Sequence, residues 1–236
     1  IYSYCKSLLY AKGWVIMATT IYPDQDGVVY KYASGTWAQI RNAAIGTLNT
    51  GTSYNITNSH TSGRGGDTYN IGRYFLEFDT SSINKTISSA NISIYGNSTN
   101  ALDVILVKGL QHTPVTTSDF NNIVGAATPL ASSNGSGAGA FDGVGLDVVF
   151  YSDEIATWST SGYNEITLSD AAKADIIAND SFFCVLIGYD YDFKDIAPSG
   201  ASYQTGFHQD AYSGTSRDPK LVIEEQENSV FFGANF

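Results

Sequence analysis

"GRYFLEFD", residues 72–79, decides the fold. Period-two alternation places Tyr74, Leu76 and Phe78 on one face of an extended chain and Arg73, Phe75 and Glu77 on the other. "ANISIYG", residues 90–96, repeats the pattern, with Ala90, Ile92 and Ile94 turned inward and Asn91, Ser93 and Tyr95 outward. "LDVILVKG", residues 102–109, is apolar on both faces at its centre, as a mid-sheet strand is. Further strand-like runs are "YNEITL" at 163–168, "SFFCVLI" at 181–187, "ASYQTGFH" at 201–208 and "KLVIEE" at 220–225, divided by Gly, Asn, Ser and Asp clusters.

The intervening segments carry their own signals. Asp26-Gly27 predicts a hairpin between "TTIYP" and "GVVYKY". "WAQIR" follows, then a polar stretch from Asn49 to Asp67 containing "TSGRGGDTYN", residues 61–70, which reads as an exposed loop. "TTSDFNNIVG" suggests one helical turn capped by Thr117 or Ser118, and "SDAAKADIIA" a short helix with Ser169 as its N-cap. The expectation is an all-β, jelly-roll-like antiparallel sandwich with one short helix. Residues 1–17 are expected as an extension, 18–225 as the sandwich and 226–236 as an acidic, then Phe-rich tail.

Composition agrees. The chain has 236 residues, enough for a full core, and 13% of them are aromatic. Only 15% are charged, against about a quarter in an average protein, so Ser, Thr, Asn and Gly must cover much of the surface. The net charge of −11, without any Lys/Arg cluster, argues against nucleic acid and anionic membrane surfaces as partners. No apolar run is long enough to span a bilayer as a helix. The two cysteines, Cys5 and Cys184, do not make a disulfide framework; Cys184 reads as a buried hydrophobe.

"GYDYDFKD", residues 188–195, is open to two readings. Its acids could hold a cation beside the tyrosines, or a core strand could be running out into solvent there. Continued alternation places Phe183, Val185, Ile187, Tyr189, Tyr191 and Phe193 on one face, while the other passes from Phe182, Cys184 and Leu186 to Gly188, Asp190 and Asp192. Solvent exposure of the acids is favoured, because an unpaired buried carboxylate is costly.

"GRYFLEFDTSSINKTISSANISIYG", residues 72–96, resembles the signature of the jelly-roll-like sandwich modules called DNRLRE domains. "VTTSDFNNIVG", "STSGYNEITLSDAAKADI", "YDYDFKDIAPSG" and "FHQDAYSGTSRDPKLVIEE" are similar to later segments of a related set, and "MATTIYPDQDG" to the start of such phage chains. The resemblance spans about residues 17 to 225. Such modules occur in bacteriophage virion proteins and in bacterial surface or secreted proteins. The resemblance therefore implies a sandwich that serves as a capsid or fibre component, an adhesin or a carbohydrate-binding module, some with a structural calcium.

For chemistry, His60, His112 and His208 lack metal-ligand spacing, and no nucleophile elbow is present, so the chain is expected not to be an enzyme. No cofactor is required; the candidate is a structural calcium on Asp24 and Asp26 of "PDQDG" and on Asp190 and Asp192. Candidate glycan platforms are Trp37, Tyr54, Trp158 and Tyr191, although rings in a β protein more often pack in the core. Phe231, Phe232 and Phe236 in the tail, with Leu8, Leu9 and Trp14 in the leader, read as docking residues. The function expected is a non-enzymatic virion subunit, a capsid decoration, head-fibre or tail-fibre protein at the particle surface. It assembles through its termini with copies of itself or other virion proteins. The alternative is an extracellular or cell-surface adhesin module that binds glycan.

Overall fold

The computed structural model describes residues 5–11, 14–123, 149–200, 202–209 and 216–226, with side chains from residue 18 onward. Twelve antiparallel strands dominate it. They are β1 (Cys5–Ala11), β2 (Trp14–Ile21), β3 (Gln25–Ser34), β4 (Thr47–Asn49), β5 (Ser53–Gly63), β6 (Gly66–Asp79), β7 (Ile87–Asn100), β8 (Val104–Lys108), β9 (Tyr163–Thr167), β10 (Ser181–Gly188), β11 (Ser202–His208) and β12 (Lys220–Gln226). Two helices, α1 (Trp37–Arg41) and α2 (Asp170–Ala178), complete it with a 3-10 turn at Thr117–Asn121 and a wide helical turn at Tyr189–Phe193.

β7 joins the two layers of the sandwich. Its first half pairs with β12 and β9, its last with β11. The change of partner falls at Gly96, where a Cβ would lie 1.9 Å from the Ser159 carbonyl. Only a glycine admits the 158–159 loop so close to the strand. One layer is then β1-β2-β12-β7-β9 and the other is built on β6, flanked by β3, β5 and β10.

The alternation read from the sequence sorts the core. Tyr74, Leu76, Phe78, Ala90, Ile92, Ile94, Phe182, Cys184 and Leu186 lie in the cluster between the layers. Phe75, Val185 and Ile187 lie in a second cluster on the opposite face of the β6 layer. That outer cluster is roofed by Trp37 and Ile40 of α1, Phe120 of the 3-10 turn and Phe193 of the helical turn. Both faces of the layer are therefore covered, which is why "GRYFLEFD" is buried from Arg73 through Phe78. Cys184 is a free, buried thiol.

Several expectations are corrected. The Asp26-Gly27 dipeptide does not close a hairpin: Asp24 already bonds through its N–H to the Glu77 carbonyl, and β3 pairs along β6 while β2 pairs with β12. The chain thus crosses between layers at Tyr22–Asp24. "TSGRGGDTYN" is exposed through Asp67 as expected, but it is mostly strand rather than loop, because β5 pairs with β6 and turns at Gly63–Gly66. "WAQIR" is helical; Thr36 accepts from the Gln39 N–H and the Gln39 side chain accepts from the Thr36 N–H, a reciprocal cap. The 3-10 turn is capped at Thr116, ahead of both expected residues, Thr117 and Ser118, while Ser169 caps α2 as predicted. The segment expected as a separate extension is paired in backbone: β1 and β2 form a hairpin, and β2 runs through residue 17 into register with β12.

Candidate functional site

The strand β10 stops at Gly188, and the next five residues coil instead of emerging. The turn breaks the alternation and sends its two aspartates to different places. Solvent exposure fails for Asp192, which is fully buried. It takes two hydrogen bonds from Arg73, Nε to Oδ2 at 2.7 Å and an NH2 to Oδ1 at 2.8 Å. The desolvation cost that argued against burial is met by the bidentate geometry.

Arg73 is saturated. Beyond Asp192 its nitrogens donate to the Phe120 carbonyl at 2.6 Å, Asn121 Oδ1 at 3.2 Å and the Arg41 carbonyl at 3.0 Å. Its guanidinium also lies 4.3 Å from the centre of the Phe120 ring. Arg41, at the end of α1, donates through Nε and NH2 to the Asp192 carbonyl and lies 3.4 Å from Asp195 Oδ1. Burial draws the Arg41 guanidinium down from its ordinary value, and Asp192 opposes this. Asp195 sits at φ 54° and accepts from the Trp37 indole at 2.8 Å. One strand, one helix and two turns are thereby tied together through Arg73 and Asp192.

Asp190 faces the other way. One carboxylate oxygen of each of Asp103, Glu154 and Asp190 lies within 4.8 Å of the others. Partial burial, then a hydrogen bond with Asp103, lifts the Glu154 carboxyl above its ordinary range, with Lys194 opposing. Lys194 reaches Asp190 at 3.1 Å and lies 4.1 Å from the Tyr189 ring centre. Such a trio offers three oxygens to a hard cation, which needs six to eight, and an ammonium already competes for one of them.

The calcium set is not assembled as expected. Both oxygens of Asp192 belong to Arg73, and a guanidinium in that position repels a cation. Asp26 is buried and accepts from the Tyr74 hydroxyl, while Asp24 is exposed. Of the four nominated acids only Asp190 stands in the carboxylate trio, and its companions Asp103 and Glu154 were not nominated.

The nominated aromatics are spread over both clusters. Trp37 is buried in the outer one, edge-on to Tyr69. Trp158 borders the inner cluster and gives its indole N–H to the Gly206 carbonyl at 3.0 Å. Tyr54 stacks on Tyr30, and burial, with Tyr30 beside it, pushes its phenol up to about 12. Tyr191 packs on Tyr203. The side chains of Leu8, Leu9 and Trp14, and all of Phe231, Phe232 and Phe236, lie outside the described residues.

The histidines are dispersed: His60 pairs with Asp67, His112 with Asp119, and His208 lies 3.3 Å from Arg217. Among the described residues no helix is long and apolar enough to cross a membrane. Arg73 and Arg41 were the residues the sequence reading passed over. The signal was an arginine placed in the middle of an apolar strand in a chain with only 12 basic residues. No family model matches this chain, and a search of curated proteins gives no match either.

Proposed function

We propose that the chain is a non-enzymatic structural subunit of a bacteriophage particle, a capsid decoration, head-fibre or tail-fibre protein, which assembles through its terminal segments. The observation that carries this reading is the pairing of β2 with β12, which sets Gln226 opposite Ile16. The β1–β2 hairpin end and the residue from which the tail continues therefore stand at one end of the same layer, and a neighbour docking there would engage both segments. Beyond β2 the margin ends in β1, which among the described residues pairs on one side only. An open strand edge is a template for adding a strand from another chain. The resemblance to phage sandwich modules supplies the particle; the rigidity of a two-layer core closed by a buried ionic knot suits a repeated building unit.

Two truncations test it, one lacking residues 1–13 and one lacking 227–236. The full chain should be oligomeric by light scattering and incorporate into particles. Each truncation should shift it toward monomer with its melting transition retained. An oligomer and particle yield unaffected by both truncations would sink the reading.

A further inference from the structure

A cavity of about 370 Å³ opens where the ends of β8 and α2 meet the start of β10. Its polar lining is built around an ion pair, Lys108 Nζ to Asp175 Oδ2 at 2.7 Å, and Asp175 also accepts from the buried Tyr151 hydroxyl. Burial, then that hydrogen bond, raises the Tyr151 phenol far above its ordinary value, so it stays a donor. Gln111 completes the polar wall. It is 5% exposed, gives its amide N–H to the Leu76 carbonyl at 2.7 Å, and its Oε1 has no partner among the described residues. Gly109 leaves the space for that oxygen, since a Cβ there would lie 2.0 Å from it. The apolar lining is Phe182, Phe183 and, at the mouth, Leu110, 58% exposed.

From this geometry we infer that the cavity binds a neutral polyhydroxylated ligand, such as a single sugar ring. A carboxylate or phosphate entering beside Lys108 would meet Asp175, and an ammonium entering beside Asp175 would meet Lys108, so the paired charges disfavour both ions. Two adjacent hydroxyls satisfy both partners: one donates to Asp175 while its neighbour accepts from Lys108. The ring's apolar face lies against Leu110 and Phe183. The volume sits near the lower end of the range for small-molecule sites, roughly 300–1,000 Å³, and suits one ring. None of the aromatics nominated from the sequence lines this cavity. The inference stands independently of assembly, and it gives the subunit a way to hold a surface glycan.

Saturation-transfer NMR on the full chain, with glucose, galactose, N-acetylglucosamine and glycerol as probes, reads the binding directly. Acetate and methylammonium serve as charged controls. At least one neutral probe should show transfer, weakened about tenfold or more by Asp175→Asn and by Lys108→Met, each of which removes one charge-assisted hydrogen bond. Leu110→Trp, at an exposed position where folding is not at stake, should abolish transfer by filling the mouth. No transfer to any neutral probe overturns the inference. So does transfer that survives Leu110→Trp, or preferential binding of acetate or methylammonium.

Discussion

The two faces of the β6 layer are stabilised by different physics. Its inner face meets the β7–β12 layer through Leu76, Phe78, Ile92, Leu186 and their neighbours, almost entirely by volume and dispersion. Its outer face is roofed by short turns that expose carbonyls, and volume alone cannot pair them. There a guanidinium with five donors supplies what a sheet would otherwise provide, binding the Phe120 and Arg41 carbonyls as well as Asp192. A sheet face covered by strands needs hydrophobic complementarity. A sheet face covered by irregular chain needs directional bonds, and the buried charges follow from that need.

The sharpest way to break this contrast is Asp192→Ala. It leaves the buried Arg73 and Arg41 guanidinium groups without the carboxylate between them, while the Asp192 carbonyl that Arg41 also binds is retained. Removing one partner of a buried pair costs about 3–5 kcal/mol, enough to consume a large part of a domain's stability. Urea unfolding should show the midpoint falling steeply, with the inner cluster still cooperative. A cost below about 1 kcal/mol would mean that the roof is held by Phe120, Phe193 and Trp37 alone.

Asp119 offers a milder test at the other corner of the roof. The buried carboxylate accepts from the His112 N–H at 2.9 Å, His112 Nδ1 at 2.7 Å, the Thr116 N–H at 2.6 Å and Asn122 Nδ2 at 2.7 Å. Burial pushes its pKa up, but these hydrogen bonds outweigh burial and hold it below the ordinary aspartate range. A depressed acid stabilises the fold above its unfolded value, and that contribution is lost as the pH falls through the lower, folded value. Asp119→Asn should therefore flatten the acid limb of a melting-temperature profile below about pH 4 and cost roughly 1–3 kcal/mol at neutral pH. An acid limb identical to the parent's would remove Asp119 from the account.

How far these regions were legible from the sequence follows the same division. The inner face was readable because alternation is local: Tyr74, Leu76 and Phe78 on one side and Ala90, Ile92 and Ile94 on another strand converge on one cluster. The outer face was not, because its determinants are far apart in the chain. Arg73 and Asp192 are separated by 119 residues, and nothing near either one marks the other as its partner. The helical turn at Tyr189 erased a period-two pattern that looked continuous through Phe193. β5 was hidden for a third reason: its Asn, Ser, Thr and His residues lack apolar rhythm, and its strand state comes from pairing with β6 and β11. The carboxylate trio was half visible, since Asp190 was noticed for its company of tyrosines while Asp103 and Glu154 gave no local signal.

Asp190→Asn is the smallest expected effect and the one that sharpens the comparison most, because it alters the same turn two residues from the knot. Its pair with Lys194 is partly exposed, and such pairs contribute about 1 kcal/mol at most. Against that loss stands relief within the trio. Glu154 is held above its ordinary range by partial burial and by its neighbours, Asp190 among them. An acid whose folded pKa is raised leaves the fold at full stability below its unfolded value, and stability declines as the pH rises through the raised value. Removing the Asp190 charge lowers that folded value, so the variant should gain on the parent as the pH climbs from about 4 toward neutrality. The net change at neutral pH should stay within about 0.5 kcal/mol. Paired pH-dependent melts of Asp190→Asn and Asp192→Ala decide the matter: if the two aspartates cost alike, the turn acts as one unit and the division between its faces is wrong.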